Sequence, residues 1–251
     1  MTQKERKQKM FEQAPALMEA IGDLLKMIRR EPNDPRYAPQ SPRGLIVGGF
    51  VRDLLLGLHP KDADVEIFGV EPKRVEEIVN HLFPCHVNFV GESFGILKIH
   101  LDFGVEFDVA IPRTESKVGQ GHKGFSVNSD PGLNFKKAAR RRDFTINAMS
   151  IDPLTGELID PFNGPNDLKQ RVLRVVDVKT FQEDPLRIYR GIQFAGRLQF
   201  EIEPKSLDLM KKMVRRGDLA ELSKERVTEE IKKLLIKSEK PSIGFELMCN
   251  L

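Results

Sequence analysis

The chain has 251 residues, 40% of them hydrophobic and 31% charged, with a formal net charge of +3. That balance suits one large globular domain or two small ones with a real core. No apolar run is long enough to cross a bilayer, the N-terminus lacks a signal peptide's apolar stretch, and Cys85 and Cys249 form neither a metal spacing nor a disulfide framework, so the expectation is a cytoplasmic protein with no membrane partner.

Residues 11–30 carry Phe11, Leu17, Met18, Ile21, Leu24, Leu25 and Ile28 at helical spacing, which predicts one amphipathic helix. A proline-rich break follows, Glu31 to Pro42. Residues 44–47 read as a strand that ends in Gly48-Gly49 and runs into a helix from Val51 to Leu58. Further strands are predicted at 63–68, 86–90, 94–101 and 104–111, with a helix over 69–83 marked by Val75, Ile78, Val79 and Leu82. Residues 114–134, rich in Gly, Ser, Asn and Lys without periodicity, read as a mobile loop. Beyond Pro165 the pattern is helical, with starts at Pro185, near Pro204 and after Ser223, and Gly217 placed as a C-cap. The predicted class is α+β. Residues 1–43 form an N-terminal helix and linker, residues 44–164 a small mixed sheet with helices, and residues 165–251 an all-helical neck.

Charge follows this division. Residues 166–251 hold 18 Lys and Arg against 14 Asp and Glu, which leaves the first 165 residues one charge negative. An excess placed there would suit nucleic-acid phosphates if that third of the chain faces them, although a solvated helical face rich in Lys and Glu explains so small a surplus equally well.

Two segments carry chemistry. A strand that turns through Gly48-Gly49 into a helix lets backbone N–H groups approach a phosphate, because no side chain intervenes. Shortly after it come Asp62 and Asp64, which share one face of an extended chain. Two like charges side by side are unfavourable unless a cation joins them, and Mg²⁺ is a hard ion held by one or two carboxylates plus substrate phosphates. Asp108, between apolar residues of a predicted strand, offers a third carboxylate, with Glu106 as a nearby rival. Further on, Asp184 and Arg187 share a helical face and can imitate the edge of a base. Capping competes with that reading: Asp184 precedes Pro185 as an N-cap would, and Glu183 stands four before Arg187.

The ordered blocks Gly48-Gly49-Phe50-Val51-Arg52-Asp53, Asp62-Ala63-Asp64, Arg141-Arg142-Asp143-Phe144-Thr145-Ile146-Asn147-Ala148-Met149, Asp160-Pro161-Phe162-Asn163-Gly164, Glu183-Asp184-Pro185-Leu186-Arg187 and Glu225-Arg226-Val227 resemble the class II tRNA nucleotidyltransferase and bacterial poly(A) polymerase family. These are polymerase-beta-like nucleotidyltransferases, and the resemblance runs from about residue 44 to the end. It implies addition of C or A from CTP and ATP to the 3′ end of tRNA, with release of pyrophosphate. It assigns Asp62 and Asp64 to metal, and Asp108 with them to catalysis. Gly48, Gly49, Arg52 and Arg142 go to the triphosphate, Asp143 to the ribose, and Asp184 and Arg187 to the base, with Arg190 among the nucleotide-binding residues. Poly(A) polymerase, enzymes adding only C or only A, and more distantly a non-catalytic RNA- or nucleotide-binding module are the alternatives. The family continues past the neck into regions that grip tRNA, so a further C-terminal region or partner chain is expected.

Overall fold

Proline 15 sets the first feature of the chain. It lacks an N–H and clashes with the carbonyl four residues back, so what reads as one helix over 11–30 is two: α1 (Gln3–Gln13), opened by a Thr2/Glu5 capping box, and α2 (Pro15–Ile28) with Pro15 in its first turn. Phe11 is consequently left exposed on α1, while Leu17, Met18, Ile21, Leu24, Leu25 and Ile28 are all buried.

The computed structural model describes residues 1–60, 62–84, 86–90, 96–117 and 125–251. It divides into two compact units: Met1–Glu115, Val127–Ala139 and Met149–Pro161 in the first, Ser116–Ser126, Arg140–Ala148 and Phe162–Leu251 in the second. Among the described residues no helix is long and apolar enough to cross a membrane.

In chain order the first unit continues with β1 (Arg43–Val47), α3 (Gly49–Leu56), β2 (Ala63–Phe68), α4 (Pro72–Leu82), β3 (Val87–Val90), β4 (Ile96–Leu101) and β5 (Val105–Ala110). Next come β6 (Arg113–Lys117), β7 (Phe125–Ser129) and α5 (Phe135–Arg140), then β8 (Ser150–Ile151) and β9 (Leu158–Ile159). Seven strands form one sheet in the order β3-β4-β5-β2-β1-β8-β9. Every neighbouring pair is antiparallel except β2 and β5, which run parallel. Leu45, Ile46, Val47, Val65, Ile67, Phe107 and Val109 are buried on these strands, each side chain contributing about 1.5–3 kcal/mol. Helices α2 and α3 pack on this sheet, and α4 packs against α2. The reading of 114–134 as one structureless loop is corrected at both ends. Strands occupy 113–117 and 125–129, Asp130 caps a turn through Gly132, and Asn134 accepts from Lys137 N at the start of α5. Its centre, residues 118–124, lies outside the described residues, as does Cys85.

From Phe162 onward the second unit is helical apart from two short strands: α6 (Gly164–Gln170), β10 (Val172–Leu173), α7 (Val178–Glu183), α8 (Leu186–Leu198), β11 (Glu201–Ile202), α9 (Pro204–Arg216), α10 (Lys224–Lys237) and α11 (Pro241–Asn250). Gly217 ends α9 at φ 84°, a left-handed cap that glycine adopts without strain. Phe144 meets Phe181 and Phe194 edge to face. Helices α8, α10 and α11 close on one another through Gly196 and Gly244, where the methyl groups of fully buried Leu234 occupy the space a side chain would need.

Candidate active site

The predicted site residues fall into two groups, one in each unit. In the first, Gly48 bridges β1 and α3 at φ 74°, ψ −129°, a conformation open to glycine and strained for other residues. Its N–H donates to Met149 O at 3.2 Å, and its carbonyl accepts from Arg52 N at 3.3 Å. Gly49 has no such backbone demand. A Cβ built there would lie 3.5 Å from the Arg52 guanidinium, so Arg52 folds back over the turn. Arg52 is buried, and its Nε donates to Asp53 at 2.8 Å. A guanidinium and first-turn N–H groups gathered at a helix start suit a polyanion.

The strand register brings the carboxylates to this turn. Val47, the last residue of β1 before Gly48, pairs with Asp64 on β2, and Asp64 pairs with Asp108 on β5. Along the chain Asp62 and Asp64 are exposed while Ala63 and Val65 are buried, so the two carboxylates do share a face. Asp108 is half-buried, with Lys98 of β4 3.6 Å away. Glu106 stands opposite His100 instead, whose Nδ1 lies 3.0 Å from its carboxylate. Adjacent strands thus present hard oxygen donors to one level of the sheet, and the repulsion among them suits a divalent cation. No group of three His, Cys, Asp or Glu side chains among the described residues makes a ready-made metal cage. The donor set therefore fits the mode in which one or two carboxylates share an ion with substrate oxygens.

In the second unit Asp143 is buried and has three hydrogen-bond partners. Its Oδ1 accepts from Phe144 N at 2.7 Å and from Asn147 Nδ2 at 2.9 Å, and its Oδ2 accepts from Arg190 Nε at 2.6 Å. Burial pushes its pKa up, but the Arg190 charge, the Asn147 and Arg190 hydrogen bonds and the Arg187 charge outweigh burial and bring it down to about 2. Arg190 is raised in turn, chiefly by the Asp143 charge, and its guanidinium lies 5.6 Å from the Phe194 ring centre. Arg187 donates to the carbonyls of Thr180 (2.6 Å) and Arg141 (2.5 Å). Its position is therefore set by backbone on two other segments. Arg141 and Arg142 are half-buried and Arg140 is exposed.

Asp184 does cap. Its Oδ1 accepts from Leu186 N at 3.2 Å and its carbonyl from Arg187 N at 3.0 Å, while Pro185 is already helical. It is also ion-paired, with Arg226 Nη2 of α10 3.0 Å from Oδ2. Spacing along the sequence finds neither this partner nor Asn147 under Asp143; both sit inside motif blocks, which was the only signal available. Asp167 was missed altogether: it is buried, accepts from Thr145 Oγ1 at 2.7 Å and pairs with Arg174 at 3.2 Å. Tyr189 is half-buried and Phe194 buried in the aromatic cluster.

Comparison with known proteins adds the following. Residues 45–174 match the family model for the poly A polymerase head domain, and residues 199–251 the model described as a probable RNA and SrmB-binding site of polymerase A. The CCA-adding enzyme of Marinobacter nauticus is 43% identical over 209 residues, covering 82% of this chain and 52% of that one. A solved CCA-adding enzyme in complex with ATP has a TM-score of 0.75 at 31% identity, covering 97% of this chain and 53% of that chain. The Thermotoga maritima CCA-adding enzyme complexed with tRNA has a TM-score of 0.67 at 33% identity, covering 82% and 46%. The chain spans about half the length of the curated relatives it matches.

Proposed function

Because this chain belongs to the poly A polymerase head-domain family, we propose that it catalyses template-independent addition of C and A to the 3′ end of tRNA. The observation that carries the reading is the register Val47–Asp64–Asp108, which sets two carboxylates beside the Gly48-Gly49 turn. Relatives named CCA-adding enzymes, one solved with ATP and one with tRNA, support it.

In the reaction the RNA 3′-oxygen bonds to the α-phosphorus of CTP or ATP, and the bond from that phosphorus to the β-phosphate oxygen breaks to release pyrophosphate. Asp62 and Asp64 would hold the divalent ion, which we take to be Mg²⁺, with Asp108, opposite Asp64, as the third carboxylate in preference to Glu106. Bound there, Mg²⁺ would ease ionisation of the 3′-hydroxyl and offset charge on the departing pyrophosphate. Gly48, Gly49 and Arg52 bind the triphosphate through backbone N–H groups and a guanidinium. In the second unit Asp184 and Arg187 read the base, Arg142 takes phosphate charge, and Asp143 serves the ribose while fixing Arg190. This assignment divides the chain into an N-terminal helix and linker (1–43), a catalytic head (44–164) and a base-reading neck (165–251). The setting is cytoplasmic.

The experiment is to incubate the protein with tRNA lacking its CCA end and each nucleotide separately or together, then sequence the product ends. Two C residues and one A support the reading. Long A tails would make it a poly(A) polymerase, and unchanged ends would leave a binding module.

A further inference from the structure

Helix α10 contributes nothing to the nucleotide-binding set above, yet it faces that set directly. Arg226, in its first turn, places Nη2 3.0 Å from one Asp184 oxygen and 3.4 Å from the other. Four residues on, one turn along the same face, Glu230 is buried and pairs with Lys233 at 2.8 Å. The charges of Glu230 and Asp184 both act on Arg190. Helix α10 thus offers a cation and then an anion to the start of α8, with Asp184 just before that helix and Arg190 within it.

The pairing has a consequence for base reading. An ionised carboxylate has roughly four acceptor positions. In Asp184, Leu186 N takes one on Oδ1 and Arg226 leans across both oxygens. Capping and ion pairing together fix how the carboxylate is turned and how much of its edge is left. With one of its two partners on a different helix, Asp184 cannot be set by α8 alone. Arg226 is 31% exposed and Asp184 23%, so the pair is partly desolvated and its geometry matters more than that of a fully solvated ion pair.

We infer that Arg226 is a positioning residue for nucleotide selection, acting by holding the Asp184 carboxylate in the orientation that accepts from C or A. The inference rests on the proposed role of Asp184 in reading the base. A partly buried guanidinium–carboxylate contact is directional, and lysine, a point charge with different reach, reproduces it only in part.

The test is direct binding of CTP, ATP, UTP and GTP to the full chain in Mg²⁺, by titration calorimetry, for the unaltered protein and for Arg226→Gln, Arg226→Lys, Asp184→Asn and the Arg226→Gln/Asp184→Asn double variant. The unaltered chain should prefer CTP and ATP. Arg226→Gln should reduce that preference about tenfold, the loss expected for one charge-assisted hydrogen bond, and Arg226→Lys should restore part of it. In the Asp184→Asn background, Arg226→Gln should change the preference no further, because it acts through Asp184. Equal lowering of the melting temperature with an unchanged preference would reduce Arg226 to a structural strut and overturn the inference while leaving the proposed function standing. An unaltered chain that binds all four nucleotides alike would remove the proposed role of Asp184 and the inference together.

Discussion

Asp143 shows how much a single side chain can carry. Buried and bonded to Asn147, Phe144 N and Arg190, it has a pKa of about 2, against roughly 3.9 in an unfolded chain. A carboxylate lowered in this way adds stability that is fully present above about pH 4 and is lost as pH falls through about 2. The difference corresponds to about 3 kcal/mol. Asp143→Asn should therefore unfold at lower urea than the unaltered chain at pH 6, and the gap should shrink markedly at pH 2.5, where Asp143 of the unfolded chain is protonated and most of that contribution is gone. A gap of the same size at both values would contradict the ion pair. The motif block pointed to Asp143 from sequence, but not to the fact that Arg190, three residues past Arg187, occupies one of its oxygens. Such pairings depend on rotamers and on which helix faces which, and neither leaves a trace in spacing.

At the scale of elements, the two glycines of the β1–α3 turn separate conformation from access. Gly48 needs its positive φ, so Gly48→Ala should cost about 1–3 kcal/mol of stability along with nucleotide binding. Gly49 is helical and a Cβ there makes only ordinary contact with Arg52. Gly49→Ala should leave the melting temperature within a few degrees yet weaken triphosphate binding, because the methyl stands where a phosphate would approach. Equal effects of the two substitutions on stability would refute that separation. The α8–α10–α11 packing offers a second check. Gly244→Ala would set a methyl 2.7 Å from both Leu234 methyl groups, an overpacking of about 1–3 kcal/mol, and Leu234→Ala opens a cavity worth about 2–5 kcal/mol. Urea unfolding of the double variant should show a loss clearly smaller than the sum, since each change relieves the other. Strict additivity would mean the contact is not tight. Most elements were legible in sequence because period-2 and period-3.6 patterns survive in buried strands and amphipathic helices. The split at Pro15 was overlooked because the apolar spacing continues across it, and β6 and β7 because Arg113–Lys117 and Phe125–Ser129 are short and largely polar.

For the molecule as a whole, the register of β1, β2 and β5 turns carboxylates scattered over residues 62–108 into neighbours. The sequence pattern alone placed Asp62 and Asp64 together, and only the parallel β2–β5 pairing sets Asp108 opposite Asp64 rather than Glu106. The small basic excess of residues 166–251 limits how many RNA phosphates this chain can neutralise. Filter binding of tRNA should accordingly be weak, with a log–log salt slope shallower than about −4. A steep slope with tight binding would mean that the grip lies within this chain.

If these carboxylates drive nucleotidyl transfer, the release of pyrophosphate depends on them. With CTP, ATP, Mg²⁺ and tRNA lacking its CCA end, the unaltered chain should release pyrophosphate in step with nucleotide added. Asp62→Ala and Asp64→Ala should each lower that rate by several orders of magnitude, on the order of 10³ or more, with circular dichroism unchanged. Near-normal release from either variant would mean that the transfer does not run through these carboxylates.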